Sequence, residues 1–176
     1  MIETPRLILR PAEPGDRPVL HAMWADPDVM AQLGSVKTAE ESDAVLAKHD
    51  ALRREGLGFW TVARRADGAV LGFCGLKRGE TNTPVAGEVE AGWIIDKPHW
   101  RQGYALEAME AGIAWAWENL DMPRIVAITA AINRKSQRLM ERLGMVRLAD
   151  GDFDHALFAE GHPLRPTVTY ALARPA

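Results

Sequence analysis

The residues with the clearest chemical capacity are His99-Trp100-Arg101-Gln102-Gly103-Tyr104-Ala105-Leu106-Glu107-Ala108, where an apolar segment passes through a tight turn into a helical pattern. The first turn of a helix leaves four backbone N–H groups without intrahelical partners, and the helix dipole adds about half a positive charge there. Gly103 and Ala105 are the small residues of this turn, so a bulky anion can approach those N–H groups without meeting a side chain. The chemistry predicted is capture of a phosphate, with a pyrophosphate-bearing cofactor as the natural guest. Taken alone, the segment also reads as a helix that begins in a tight corner.

Other reactive residue types are sparse. The single cysteine, Cys74, sits in the apolar run Leu71-Gly72-Phe73-Cys74-Gly75-Leu76, so no intrachain disulfide or cysteine cluster is available and a buried thiol is expected. His21, His49, His99, His155 and His162 lack the spacing of metal ligands, and no metal site is expected. His99 adjoins the turn and reads as a solvated loop residue or a ligand contact. His155 falls in a long late loop, where substrate-contacting residues gather.

A chain of 176 residues that is 47% hydrophobic and 26% charged fits one soluble domain spanning 1–176. No apolar run approaches the roughly 18 residues of a membrane span. The start, Met1-Ile2-Glu3-Thr4-Pro5-Arg6, lacks the basic and apolar regions of a signal peptide, which predicts a cytoplasmic protein. A net charge of −3 argues against nucleic acid as the main partner and suits neutral or cationic substrates.

The elements that must position the turn follow from pattern. Arg6-Leu7-Ile8-Leu9-Arg10-Pro11 reads as a strand, and Asp16 as the cap of a short helix ending near Asp26-Pro27-Asp28. Thr38-Ala39-Glu40-Glu41 is a capping box for a helix running to Gly56, with Val45, Leu46, His49 and Leu52 as its buried stripe. Residues 59–64 and 69–76 form an antiparallel hairpin around Asp67-Gly68, and residues 88–95 a third strand leading into the turn. A helix from Gly103 to about Glu118 buries Met109, Ile113 and Ala116. The run 124–130 is a central strand, Asn133 caps a helix ending at Gly144, and 145–148 and 167–172 close the sheet.

The three ordered blocks Thr4 to Pro11, Trp100 to Ala108 and Asn133-Arg134-Lys135-Ser136 through Leu143-Gly144 resemble the GNAT acyltransferase superfamily. Within it the chain is similar to the branch containing the ribosomal-protein N-terminal acetyltransferases. The resemblance implies a mixed α/β fold: a twisted, mostly antiparallel sheet of about seven strands flanked by about four helices. It departs from the family's phosphate-loop pattern at Trp100, where Gln or Arg is usual, which leaves Arg101 as the nearby cation.

By the resemblance, the N–H groups of Arg101, Gln102, Gly103, Tyr104 and Ala105 hold the pyrophosphate of acetyl-coenzyme A. Its pantetheine arm lies along Trp93-Ile94-Ile95 like an added strand, with Ile94 and Ile95 offering the bonds. Asn133 and Ser136 are further cofactor contacts, with capping of its own helix as the alternative reading of Asn133. An alkylammonium, with a pKa of about 10.4, must lose a proton before it can attack a thioester. Glu90, which interrupts an apolar strand, is the candidate base, or else the partner of a cross-strand Arg or Lys. Alternation puts Glu88 and Glu90 on one face and Val89 on the other.

Many relatives protonate the departing thiolate with a tyrosine, but Met140 stands in that place. Ser136 is the candidate instead, with an ordinary N-terminal helix hydroxyl as the alternative. Cys74 has no predicted activating histidine, so direct transfer without an acyl-enzyme is expected.

The acceptor is a primary amine, on a protein N-terminus or a small molecule. Trp60 and Trp93 line the acceptor cleft or pack the core. Trp115 and Trp117, two apart on one helix, cannot share a face, and the outward one makes a homodimer conceivable. A coenzyme A sensor without catalysis and a protein for another phosphate ligand are the rival functions.

Overall fold

The computed structural model describes residues 1–175. Two short antiparallel strands, β1 (Ile2–Glu3) and β2 (Leu7–Arg10), lead into α1 (Arg17–Ala25), α2 (Pro27–Met30) and α3 (Ala39–Ala51). Next come β3 (Gly58–Arg64), β4 (Val70–Arg78) and β5 (Val89–Ile95), then α4 (Tyr104–Asn119), β6 (Arg124–Ala130) and α5 (Arg134–Arg142). The chain closes with β7 (Val146–Arg147), β8 (Phe153–Asp154) and β9 (Pro166–Ala173). Strand order is β1-β2-β3-β4-β5-β6-β9-β7, with β8 on β9. Every pair is antiparallel except β5 with β6.

The expected mixed fold and its mostly antiparallel sheet are present. The two strands beyond the expected seven, β1 and β8, are two residues each, too short to show an alternating pattern. The added helix is α2, a single turn started by Asp26, whose side chain accepts from the Asp28 N–H. No helix among the described residues is long and apolar enough to cross a membrane.

Local chemistry explains most boundaries. Thr38 and Glu41 form the capping box in both directions, at 3.2 and 2.8 Å. Asp67, with Gly68 at φ +75°, turns the β3–β4 hairpin. Asp16 does not cap α1 as expected. Its carboxylate takes a bidentate pair from Arg10 at 2.6 and 2.8 Å and the Glu13 N–H at 2.9 Å. Burial pushes that carboxyl up, but the Arg10 pair outweighs it and holds it low.

The sheet separates two cores. On one face α4 buries Met109, Ile113 and Ala116, with Trp60 edge-on to Trp115 at 5.5 Å. Trp60 and Trp93 are not on neighbouring strands: both pair with Cys74, which lies between them on β4. Neither Trp115 nor Trp117 stands free: Trp117 also packs against this core and lies under Arg174, whose guanidinium donates to the Trp117 carbonyl at 2.7 Å. On the other face α1, α2 and α3 cover Phe59, Phe73 and Ile94.

His49 belongs to this second core. Its ring stacks on Phe59 at 4.1 Å, and Nδ1 accepts the Phe59 N–H. Burial, followed by the charges of Lys48, Lys77 and Arg53, lowers its pKa to about 4. The unfolded chain takes up this proton near pH 6.5 and the folded chain only near pH 4, so stability is complete above 6.5 and lost as the pH falls through that window. Between pH 7 and 5 the loss is about 2 kcal/mol. Thermal unfolding of His49→Phe is expected to give a lower Tm at pH 7 with a flatter decline toward pH 5. A decline as steep as that of the unaltered chain would discard His49 as its source.

Candidate active site

β5 and β6 are joined at one rung only, Glu90 opposite Val126, and part beyond it. A cavity of about 890 Å³ opens along the separated edges, lined by the end of β5, the turn before α4, the start of α5 and the α2 segment. Asp96 N–H donates to Leu71 C=O, and Ile95 is opposite Gly72. By antiparallel alternation Ile94 spends its backbone groups on Phe73, while Trp93 and Ile95 turn theirs toward the opening. The edge turned toward the opening is therefore that of Trp93 and the Ile95 N–H, the Ile95 carbonyl being taken by Trp100, while the backbone bonds expected of Ile94 are spent on β4.

Trp100 explains its own departure from the family pattern. Its indole N–H donates to the Ile95 carbonyl at 2.6 Å, fastening the turn to the end of β5, and its ring carries Lys135 Nζ at 4.4 Å. Arg101 follows with φ +60° and Gly103 with φ +81°. Left-handed residues interleaved in a turn make a concave set of N–H groups suited to an anion. Arg101, Gly103, Tyr104 and Ala105 line the large cavity. Gln102 is not among the lining residues: its side chain donates to the Pro98 carbonyl and its own carbonyl accepts from Arg6.

The turn is held from behind. Glu107 Oε1 accepts from Thr4 Oγ1 at 2.6 Å and from the Arg6 N–H at 2.9 Å, and Oε2 accepts from Arg6 Nε at 2.6 Å. Burial raises the Glu107 carboxyl, yet these contacts keep it below the usual range. Two of the three sequence blocks are thus physically one unit, the first bracing the second.

A side chain at Gly103 would meet nothing closer than Arg6 Nη2 at 3.4 Å, so its cost is conformational. Gly103→Ala loses about 1 kcal/mol in the left-handed region. Thermal unfolding is expected to show a Tm lower by about 2–4 °C for a chain of this size; an unchanged Tm would mean that the turn does not hold Gly103 in that conformation.

Across the opening, Asn133 is buried, and its Oδ1 accepts the Ser136 N–H at 3.2 Å. Asn133 and Ser136 both line the large cavity. Because Asn133 performs the capping, the Ser136 hydroxyl is left without a protein partner among the described residues. Arg101 is not the lone cation here: Lys97, Lys135, Arg138 and Arg142 line the same cavity. Lys97 is paired with Asp28. Lys135, Arg138 and Arg142 have no acidic partner among the described residues and recur at i, i+3 and i+7 along one face of α5. That spacing was present in the sequence and is the signal missed there.

Glu90 lies outside the large cavity, on the α1–α3 face. It is buried at 5% exposure and lines a second cavity of about 190 Å³ with Lys77 and His155; Gln32 and Leu33 line both. Its register partner Lys77 brings Nζ to 3.1 Å of Oε2, so the cross-strand pairing expected as the alternative is present. Oε2 nevertheless makes no directed hydrogen bond. Burial raises the Glu90 carboxyl above the usual range, against the pull of Lys77. Glu88 is spent in a bidentate pair with Arg124 at 2.6 and 2.8 Å. Cys74 is fully buried, its thiol pushed up to about 12, which leaves it inert as a nucleophile.

A sheet opened at a parallel pair, with an anion-binding helix start on one side of the gap and a basic helix on the other, places the chain among the acetyltransferases. Residues 6–146 match the acetyltransferase (GNAT) domain, and the chain belongs to that family. It is 25% identical to the uncharacterized N-acetyltransferase YoaA of Bacillus subtilis (strain 168), over 99% of this chain and 97% of that one. An acetyltransferase structure of the GNAT family from Bacillus anthracis superposes with a TM-score of 0.79 at 25% identity, covering 98% of both chains. The ribosomal L7/L12 alpha-N-protein acetyltransferase RimL, solved with coenzyme A, shares the fold with a TM-score of 0.77 at 18% identity, covering 97% of this chain and 95% of that one.

Proposed function

We propose that the chain is an acetyl-coenzyme A dependent N-acetyltransferase that moves the acetyl group directly onto a primary amine. The observation that carries this reading is Glu90: a buried carboxylate with one orphaned oxygen, standing where the sheet opens and the two cavities share Gln32 and Leu33. The large cavity suits coenzyme A by its chemistry. The N–H groups of the left-handed turn and the unpaired cations of α5 meet phosphates, the edge of Trp93 and Ile95 meets the pantetheine amides, and Asn133 offers an amide beside them. The coenzyme A bound to RimL, a chain of the same fold, supports the same assignment.

In the transfer, Glu90 accepts the ammonium proton, directly or through water, and the freed nitrogen pair bonds to the thioester carbonyl carbon. The C–S bond then breaks and its electron pair stays on sulfur. The Ser136 hydroxyl, unspent within the protein, relays to the thiolate the second proton, which the nitrogen loses as it becomes an amide. Thiol release from acetyl-coenzyme A with an amine panel tests the activity, and calorimetry with coenzyme A against ATP tests the ligand. Tighter binding of ATP, or no amine-dependent release, would overturn the reading.

A further inference from the structure

The small cavity reads more than an amine. Glu90 Oε2 is buried and lacks a directed hydrogen bond, so a donor is wanted there. Lys77 Nζ, 3.1 Å away and 3.6 Å from Glu80 Oε1, offers the opposite charge immediately beside it. His155 adds a second donor: its Nδ1 accepts the Leu157 N–H at 3.2 Å, which puts the ring proton on Nε2. Burial and Lys77 lower its pKa, so the ring is neutral at pH 7. One acceptor and two donors within a single small cavity match a molecule whose amine and carboxylate sit on one carbon.

The remaining wall is mixed: Gln32, Thr129 and Thr167 are polar, and Ile128, Ala130 and Phe158 supply an apolar side with the leucines. Phe158 stacks on His162 at 5.0 Å, and Leu164 is buried next to it. Both line the cavity, and Leu33 and Leu157 stand exposed at its edge. At about 190 Å³ the space is below the few hundred Å³ typical of drug-sized ligands. A polyamine or aminoglycoside would bring further positive charge against Lys77 and leave the His155 donor unanswered.

Resting on the acetyltransferase reading, we propose that the acceptor is a free α-amino acid with a compact apolar side chain. Its amine meets Glu90, its carboxylate Lys77 and His155, and its side chain Phe158 and Leu164. The ammonium gives its proton to Glu90, nitrogen bonds to the acetyl carbon, and the C–S bond breaks with its electron pair on sulfur. The nitrogen gives its second proton, relayed by Ser136, to that thiolate, leaving an N-acetyl amino acid and free coenzyme A, and Glu90 returns its proton to solvent.

The test follows thiol release by the intact protein with leucine, leucinamide, a leucyl dipeptide and spermidine. Leucine is expected to exceed leucinamide and spermidine in kcat/KM by about 10- to 100-fold, since only its carboxylate can answer the half-buried donors Lys77 and His155. In Lys77→Gln the leucine-to-leucinamide ratio is expected to fall toward one, whatever happens to the absolute rates. Equal or faster reaction of the amide, the dipeptide or spermidine overturns the amino-acid assignment while leaving acetyl transfer standing. Release with none of the four overturns both.

Discussion

Glu90→Gln is expected to lower kcat at neutral pH by about 10²- to 10³-fold while leaving coenzyme A affinity nearly unchanged. The substitution preserves shape in a site that is 5% exposed and removes only the capacity to accept a proton. It also removes a charge from Lys77, so a loss of fold must be excluded by comparing thermal unfolding of the two proteins. The pH profile supplies a sharper criterion. Burial raises the Glu90 carboxyl, so activity climbs as the pH rises through a value above the ordinary carboxylate range of about 4.3. In the glutamine variant that limb has no origin and disappears. An unchanged kcat, or an unchanged limb, removes Glu90 from the chemistry and leaves it as the partner of Lys77.

The second large effect is expected at α5. Reversing charge in Lys135→Glu together with Arg138→Glu should weaken coenzyme A binding by about 10- to 100-fold at low salt, with the deficit shrinking as ionic strength rises. Both residues line the large cavity without an acidic partner among the described residues, and Lys135 additionally rests on the Trp100 ring. Titration calorimetry at two salt concentrations checks this. A salt-independent loss would point to disruption of the Trp100 contact rather than to charge, and no loss would place the phosphates elsewhere.

Much of this architecture is legible in the chain because it is written locally. The Thr38–Glu41 capping box, the Asp67-Gly68 turn, the Asn133 cap and the Met109, Ile113 and Ala116 stripe each need only a few adjacent residues, and each is realised. What escapes is set by contacts outside each local motif. Asp16 is spaced like a cap, but Arg10 folds back upon it. Gln102 sits inside a phosphate-loop motif, yet the turn directs it to Pro98. The placement of Glu90 and Ser136 in different cavities depends on where β5 and β6 separate, a property of twist and crossover that no single segment encodes.

That separation also leaves the two halves of the sheet joined mainly by side-chain packing, through one core that runs beneath both. One rung of backbone pairing, at Glu90 and Val126, joins the β1–β5 half of the sheet to the half built from β6 to β9. Cooperative unfolding units commonly follow supersecondary boundaries of this kind. A ligand extended along the β5 edge and held by the start of α5 touches both halves, and so couples them. Occupancy then registers as slowed amide exchange at Trp93 and Ile95, and the carboxylate assigned to proton transfer stands at the hinge of that coupling.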